Sequence, residues 1–387
     1  MRVAAYPGLD SLPPCYTAFF DDAARTSFYL TRTWFEILST SSIPTGTRVI
    51  FWAVEAAADG RPLALLPVCV PAGQEGSLLS QRKPGPRSMA ALTNYYTCLY
   101  GVLVASDIVD PRPPLRALVR AIREDRRQAP LVLEFNYLPG AHDHYPALAD
   151  ALADAGLVVM RYFHAATWFE PVTGHSAADY LAQRPKSIRQ EYARKARKLE
   201  KEQSIERRMF WHSDEIEQAL ADFQAIYRTS WKGTERHPDF IPTLFRIGMA
   251  SGHLRVGILY INGQAAAAQI YTLHGGVATA FKDAYDPAFA KHSPASVLRL
   301  FTVSYLIDRD RIDEINFGYG DEPYKQDWFS RRRELSGLLA CDPTSVAGLK
   351  QILWHILFIG YQRLMRIGSK PMRLLRACRT WLASATR

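Results

Sequence analysis

The stretch from Leu254 to Asp283 constrains the fold more than any other. Leu254 to Ile261 reads as a strand, and Asn262-Gly263 closes it with the strongest two-residue hairpin turn. Gln264 to His274 returns, Gly275-Gly276 turns again, and Val277 to Asp283 is a third antiparallel strand. A helix from Pro294 to Asp308 and a strand from Ile312 to Phe317 follow. Antiparallel hairpins followed by a helix and another strand are not the βαβ repeat of a doubly wound sheet. They suit an α/β fold with a mixed sheet flanked by helices. A chain of 387 residues has room for two such units.

The first part of the chain rhymes with this one. A short helix is expected over 26–38, with Trp34, Phe35, Ile37 and Leu38 inward. Val49 to Glu55 and Leu63 to Val70 are strands around an Asp59-Gly60 turn, and the Gly/Pro/Ser-rich 72–88 is a loop. Helix Leu115 to Gln128, strand Leu131 to Tyr137, helix Pro146 to Ala155 and strand Leu157 to Phe163 complete it. The late strands read Glu134-Phe135-Asn136-Tyr137 and Glu314-Ile315-Asn316-Phe317, after the same order of elements. That is the mark of a duplicated lobe. The expected division is 1–165, 166–349 and a tail at 350–387.

Between the lobes, Arg184 to Arg208 holds ten basic and four acidic residues, with Tyr192, Ala196 and Leu199 on one helical face. Two readings stand: a solvated helix bridging the lobes, or a basic wall facing a phosphate-bearing ligand. Asp214 with Glu217 has the spacing of a capping box and opens a helix to about Trp231. A second helix spans Phe240 to Ala250.

Two stretches have residues suited to chemistry. In Lys291-His292-Ser293-Pro294-Ala295-Ser296-Val297, Ser293 suits an N-cap and Pro294 the first helical position. The N–H groups of Ala295, Ser296 and Val297 would then be unpaired beside small side chains. With the helix dipole behind them they form a phosphate site, to which Lys282, Lys291 and His292 could add charge. The other reading is an ordinary capped helix. The second stretch, Gly318-Tyr319-Gly320-Asp321-Glu322-Pro323-Tyr324-Lys325, follows a strand, where α/β proteins build sites. Asp321 or Glu322 could take a proton from an attacking amine, and Tyr324 could return one to a leaving thiolate. The other reading is structural, in which the glycines only turn the chain and Lys325 only pairs with Asp321.

Other signals are weak. His142-Asp143-His144 sits in a loop without a matching ligand set, so no metal is expected. G-x-S-x-G, G-x-x-x-x-G-K-[ST] and H-E-x-x-H are absent from the sequence, which removes the usual markers of hydrolase, P-loop and zincin chemistry. Five cysteines, odd in number and widely spaced, read as reduced and mostly buried. The start lacks an apolar run of signal-peptide length. The longest apolar stretch, Ile352 to Tyr361, falls short of the ~20 residues of a spanning helix, so a cytoplasmic protein is expected.

A family resemblance joins these pieces. The run Trp231-Lys232, Glu235, Pro238-Asp239-Phe240-Ile241, Gly252-His253-Leu254-Arg255, Tyr285-Asp286, Ser293-Pro294 and Phe317 to Lys325 with Trp328 resembles the CelD-like branch of the GNAT superfamily of acetyltransferases, related to the Fem-type aminoacyltransferases. Phe28-Tyr29, Trp34-Phe35 and Thr93-Asn94-Tyr95-Tyr96 resemble the same family's N-terminal half. The resemblance implies tandem GNAT-like lobes. It also implies acyl transfer from a CoA thioester, such as acetyl-CoA, to an amine or hydroxyl, in envelope or exopolysaccharide metabolism. The Ser293-Pro294 helix start would hold the pyrophosphate, and a free backbone N–H where strands splay would stabilise the thioester oxygen. Ala295 stands where the family often has Gly. Two alternatives remain open: a Fem-like enzyme using aminoacyl-tRNA in a groove built on Arg184 to Arg208, and a non-catalytic scaffold at a membrane.

The charge distribution narrows the partners. The net charge is +9, from 47 Lys and Arg against 38 Asp and Glu. Residues 350–387 hold eight basic residues and no acidic one, which leaves 39 against 38 in residues 1–349. The two-lobe body is close to neutral, which argues against nucleic acid as partner outside the tRNA alternative. Pro371 divides the tail into two helices, with Arg373, Arg376 and Arg379 on one face and Leu374, Leu375, Cys378 and Leu382 opposite. Either the first helix packs on the body and the rest is solvated, or the tail anchors the protein on an anionic inner leaflet.

Overall fold

The computed structural model describes residues 1–25, 27–71, 87–125, 129–140 and 144–366. The first lobe has β1 (Arg2–Tyr6), α1 (Cys15–Ala24), α2 (Arg32–Ser41), β2 (Arg48–Glu55), β3 (Pro62–Val70), β4 (Ser88–Ala91), β5 (Leu103–Val104), α3 (Arg112–Glu124), β6 (Val132–Pro139), α4 (His144–Asp154) and β7 (Val158–Pro171). The second has α5 (Ala177–Ala182), α6 (Ala193–Glu202), β8 (Ile205–Phe210), α7 (Ile216–Thr229), α8 (Phe240–Ala250), β9 (Leu254–Ile261), β10 (Gln264–His274) and β11 (Val277–Tyr285). It continues through α9 (Pro294–Asp308), β12 (Glu314–Tyr319), α10 (Lys325–Trp328) and β13 (Arg331–Cys341) to α11 (Val346–Arg366).

One mixed sheet runs through both lobes in the order β1-β2-β3-β4-β6-β13-β7-β12-β11-β10-β9-β8, with β5 on β3. The repeat is visible in its pairing. β6 runs parallel to β4, and β12 runs parallel to β11. Both strands carry an extra residue just after the Asn of the repeated motif, where Ser336 faces Leu138 but Leu338 faces Phe135, and Asn316 faces Phe169 but Tyr319 faces Thr167. Such bulges re-aim the strand that follows.

The lobes exchange strands at the centre. β13 comes late in the chain yet lies between β6 and β7 of the first lobe. β7 is longer than the expected 157–163, because its second half, Thr167 to Pro171, crosses over to pair with β12. Residue 165 therefore lies inside a strand that both lobes share.

Alternation along the strands divides the core into layers. Phe51 and Ala53 of β2 face α1 and α2, while Ile50, Trp52 and Val54 face α3 and α4. In the second lobe α7 and α8 share the inner layer with α1 and α2, and α5, α6 and α9 cover the other face. Trp34 of α2 meets Phe240 of α8 edge-on, with centroids 6.0 Å apart, at the centre of that joint core.

Several local expectations change. The helix expected over 26–38 begins at Arg32, because Phe28–Leu30 is a 3₁₀ turn and Thr31 caps α2 through the Trp34 N–H at 3.1 Å. Asp214 does not cap α7. Ser213–Glu215 forms a 3₁₀ turn instead, and Glu215 accepts from the N–H groups of Trp211 and His212. The basic stretch is not one solvated helix. Arg184 is buried, with both terminal nitrogens 3.1 Å from Glu170 and one also 2.7 Å from the Trp328 carbonyl. The cysteines Cys69 and Cys341 are buried, Cys98 is partly covered and Cys15 is exposed. The Pro371 break, Cys378 and the second tail helix lie outside the described residues, as do His142 and Asp143.

Candidate active site

The site is built where β11 leaves its neighbours. β11 and β12 pair over three rungs, Val277 with Glu314, Ala278 with Ile315 and Thr279 with Asn316. Beyond them the ladder stops. On the other edge, Ile270 faces Lys282 while Tyr271 faces Ala280, so Phe281 is an extra residue in β11. The stretch from Ala280 to Lys282 is thus released on the β12 side and bulged on the β10 side. Gly318 makes this junction possible. Its φ is +61°, and a Cβ there would stand 3.0 Å from the Ala280 carbonyl oxygen and 3.4 Å from Cys98 Sγ.

The bulge turns Phe281 and Lys282 toward the inner layer. The Phe281 ring lies 6.1 Å from Tyr96 and 6.0 Å from Phe240. Lys282 pairs with Glu235, which also accepts from the Tyr96 hydroxyl, and the Lys282 ammonium lies 4.7 Å over the Tyr227 ring. Burial pushes the Glu235 carboxyl up, but hydrogen bonds from Lys282, Tyr227 and Tyr96 outweigh it and hold it below the usual carboxylate range. Burial lowers the Lys282 ammonium. The Lys282 ammonium therefore serves this cluster, while Lys282 also borders the cleft on the α9 side.

Asp283 turns the other way. It takes Arg299 Nη2 of α9 at 3.1 Å and Lys232 Nζ at 2.7 Å. Burial raises its pKa, and the charges of Lys232 and Arg299 more than reverse that. Tyr271, Asp283, Arg299, Phe317 and Tyr324 line a cleft of about 90 Å³ on this side. The Arg299 guanidinium spreads over Phe317 and Tyr324 at 4.9 and 5.6 Å, and its buried Nε has no hydrogen-bond partner among the described residues. The Tyr324 hydroxyl is raised by burial, so it stays protonated at neutral pH.

The helix start differs from expectation in detail. Ser293 adopts the left-handed conformation, φ 52° and ψ 50°, and its side chain caps nothing. Its carbonyl instead accepts from Ser296 and Val297 N–H at 3.1 and 3.2 Å. Of the three N–H groups expected to be free, only that of Ala295 keeps no acceptor among the described residues. Positive charge comes from a neighbour. Ala196 and Leu199 of α6 pack on Val297 and Leu298, so the exposed Arg194, Arg197 and Lys198 stand on a helix abutting the first turns of α9.

The loop after β12 separates its residues. Asp321 is exposed, 3.0 Å from Arg332 Nη2 and 2.7 Å from Trp168 Nε1, and those hydrogen bonds hold it below the usual carboxylate range. Lys325 does not pair with Asp321. It is buried, with Glu322 at 2.9 Å and the Tyr319 carbonyl at 3.0 Å. Tyr324 alone of the expected trio, Asp321, Tyr324 and Lys325, lines the cleft.

Behind the splay, on the opposite face, lies a larger cavity of about 360 Å³ between the lobes. Alternation along β11 and β12 sends Thr279 and Asn316 into it, while Ala278, Ile315 and Phe317 pack on the α9 side. Two buried hydroxyls on its lining, those of Tyr29 and Thr167, have no hydrogen-bond partner among the described residues. The Arg333–Glu314 pair, 3.0 Å apart, borders it. Among the described residues, no group of His, Cys, Asp and Glu could hold a metal ion.

Residue reading singled out neither Arg299 nor this cavity. Arg299 sits in an apolar helical pattern, and the cavity is assembled from both lobes. Tyr96 and Glu235 entered only through motifs that the resemblance quoted.

The splayed parallel pair, the bulged neighbour and the crossover helix between them define the class, the GNAT acyltransferase fold. Residues 186–326 match the family described as an acetyltransferase (GNAT) domain. No curated protein matches it. Among solved structures it is similar to a conserved protein of unknown function from Bacteroides thetaiotaomicron VPI-5482, at 13% identity over 84% of this chain and 94% of that one, with a TM-score of 0.53. It is also similar to FemX, at 10% identity over 86% and 97%, with a TM-score of 0.54. At such identities these likenesses show the fold.

Proposed function

We propose that the chain is an acyl-CoA-dependent N- or O-acyltransferase of the CelD-like branch, acting in envelope or exopolysaccharide metabolism. One observation carries this reading: the splay opens on the α9 side into a cleft beside a helix start, and on the other side into an inter-lobe cavity. The donor's phosphates lie at Ser293, Pro294, Ala295, Ser296 and Val297, with the Ala295 N–H, the dipole of α9 and the basic face of α6 as counter-charge. The thioester enters the cleft, and the acceptor amine or hydroxyl approaches from the cavity. Attack on the thioester carbon breaks the C–S bond. Released backbone N–H groups between Ala280 and Lys282 stabilise the oxyanion. Tyr324, kept protonated, gives its proton to the leaving thiolate, and the proton lost by the acceptor nitrogen or oxygen returns through water to the Tyr324 phenolate. Asp321 and Lys325 act by holding the Tyr324 loop, since both are committed to ion pairs. Peripheral attachment to an anionic inner leaflet through 350–387 sets the location.

The test is thermal protection by acetyl-CoA and by longer acyl-CoAs. The expected result is a raised midpoint that Ala295→Glu abolishes, because its carboxylate occupies the helix start. Absence of protection by every acyl-CoA overturns the reading. The exposed cations of α6 favour one other donor, aminoacyl-tRNA. Salt-sensitive tRNA binding that vanishes when Arg194, Arg197 and Lys198 are neutralised would transfer the donor role to it.

A further inference from the structure

We infer that the outward face of α11 is a membrane-insertion surface for an anionic phospholipid bilayer. Among the described residues, α11 is held on the sheet by one side only. His355 is buried, with its ring 5.4 Å from Tyr162, and Ile352 packs with Val132, Leu339 and Cys341. At its start a Cβ on Gly348 would fall 2.0 Å from the Asp342 carbonyl oxygen, so the first turn is pressed against the end of β13. The opposite side presents Leu349, Leu353, Ile356 and Leu357, spaced as one helical stripe and 52–59% exposed. Trp354 and Phe358 flank the stripe. A large apolar face left uncovered on a helix of 21 residues marks an interaction site.

The charge decides what covers it. Residues 350–387 hold eight basic residues and no acidic one, against a body of net +1. A second copy would bring the same charge to the same face, and the two would repel. An anionic lipid surface offers opposite charge beside an apolar interior, which matches the basic and apolar parts of this segment. No helix among the described residues is long and apolar enough to cross a membrane, so α11 lies along the surface. The inference takes its charge from the tail-attachment reading above and is independent of the acyl-transfer chemistry.

The experiment is co-sedimentation of the full chain with phosphatidylcholine vesicles, with and without phosphatidylglycerol. Binding is expected only with phosphatidylglycerol, to weaken with salt, and to fall about tenfold or more in Leu353→Glu/Leu357→Glu. Both positions are exposed, so circular dichroism and the thermal midpoint should match the parent. Undiminished binding by the double variant overturns the insertion face while leaving tail attachment standing, and no vesicle binding overturns both. A dimer of the parent chain that the double variant loses assigns the face to a second copy and overturns the inference. Acyl-CoA protection, measured in the same preparations, reports separately on the catalytic reading.

Discussion

Arg299 Nη2 lies 3.1 Å from Asp283 Oδ2, which ties the second turn of α9 to the strand residue just past the β11 bulge. That contact fixes the width of the cleft. Asp283 can turn toward α9 only because Phe281 and Lys282 take the inner side together, and Arg299 is then stretched flat over Phe317 and Tyr324.

Arg299→Ala should therefore lower stability by about 1–3 kcal/mol in urea unfolding, since it removes a charged hydrogen bond and leaves Asp283 to Lys232 alone. Arg299→Lys should recover much of that stability but not the planar stacking on Phe317 and Tyr324. Equal unfolding midpoints for the parent and Arg299→Ala would show that the pair holds nothing.

The Lys282–Glu235 pair is more deeply covered, with side chains 11% and 13% exposed. Lys282→Met leaves Glu235 with hydroxyl partners only, and a cost of about 3–5 kcal/mol is expected. Glu235→Gln removes the charge that compensates the buried ammonium, which keeps the Tyr227 hydroxyl as partner, and should cost a similar amount. The double variant should cost well under the sum of the singles. Additive losses would mean that each residue acts through something other than its partner.

Much of the frame could be read from residues, and the misses have physical causes. β9, β10 and α9 fall where hairpin turns and helical spacing put them, because Asn262-Gly263, Gly275-Gly276 and Pro294 act locally. No local signal marks β13. It opens Arg331-Arg332-Arg333, yet it is central, with Arg332 and Arg333 paired to the carboxylates of Asp321 and Glu314 on neighbouring segments. The shared strand β7 and the inter-lobe cavity depend on contacts between residues more than a hundred positions apart, which no local pattern encodes. The helix start was legible as a position but not as a conformation. The left-handed Ser293 uses its own carbonyl to take two of the N–H groups that spacing alone leaves free.

Gly337 and Tyr162 are direct cross-strand partners, and a Cβ on Gly337 would lie 2.2 Å from Tyr162 Cζ. The missing side chain lets the Tyr162 ring cross β13 and donate to Asn136 at 2.6 Å. Gly337→Ala should cost about 1–3 kcal/mol through overpacking and loss of that bond. In a Tyr162→Ala background the same change should cost little, and thermal midpoints of the four proteins decide it. A full penalty in both backgrounds would place the strain in the backbone.

Asp342 supplies a pH signature. Hydrogen bonds from Thr344 and Arg123 push its carboxyl down to about 2, from an ordinary 3.8. The folded state thus binds fewer protons than the unfolded one between those values. The contribution is whole above about 3.8 and is lost as pH falls through about 2. Asp342→Asn should be less stable than the parent at neutral pH, and the gap should close as the pH falls through that window. The Arg123 contact, at 2.9 Å, joins α3 of the first lobe to the end of β13, and α11 starts four residues later. Acid should therefore loosen the seat of α11 together with the lobe contact. Hydrogen exchange in Val346 to Ile352 should rise over the same pH interval in the parent and already be fast in Asp342→Asn, once corrected for intrinsic rates. Unchanged protection there would confine the effect of Asp342 to its own ion pair.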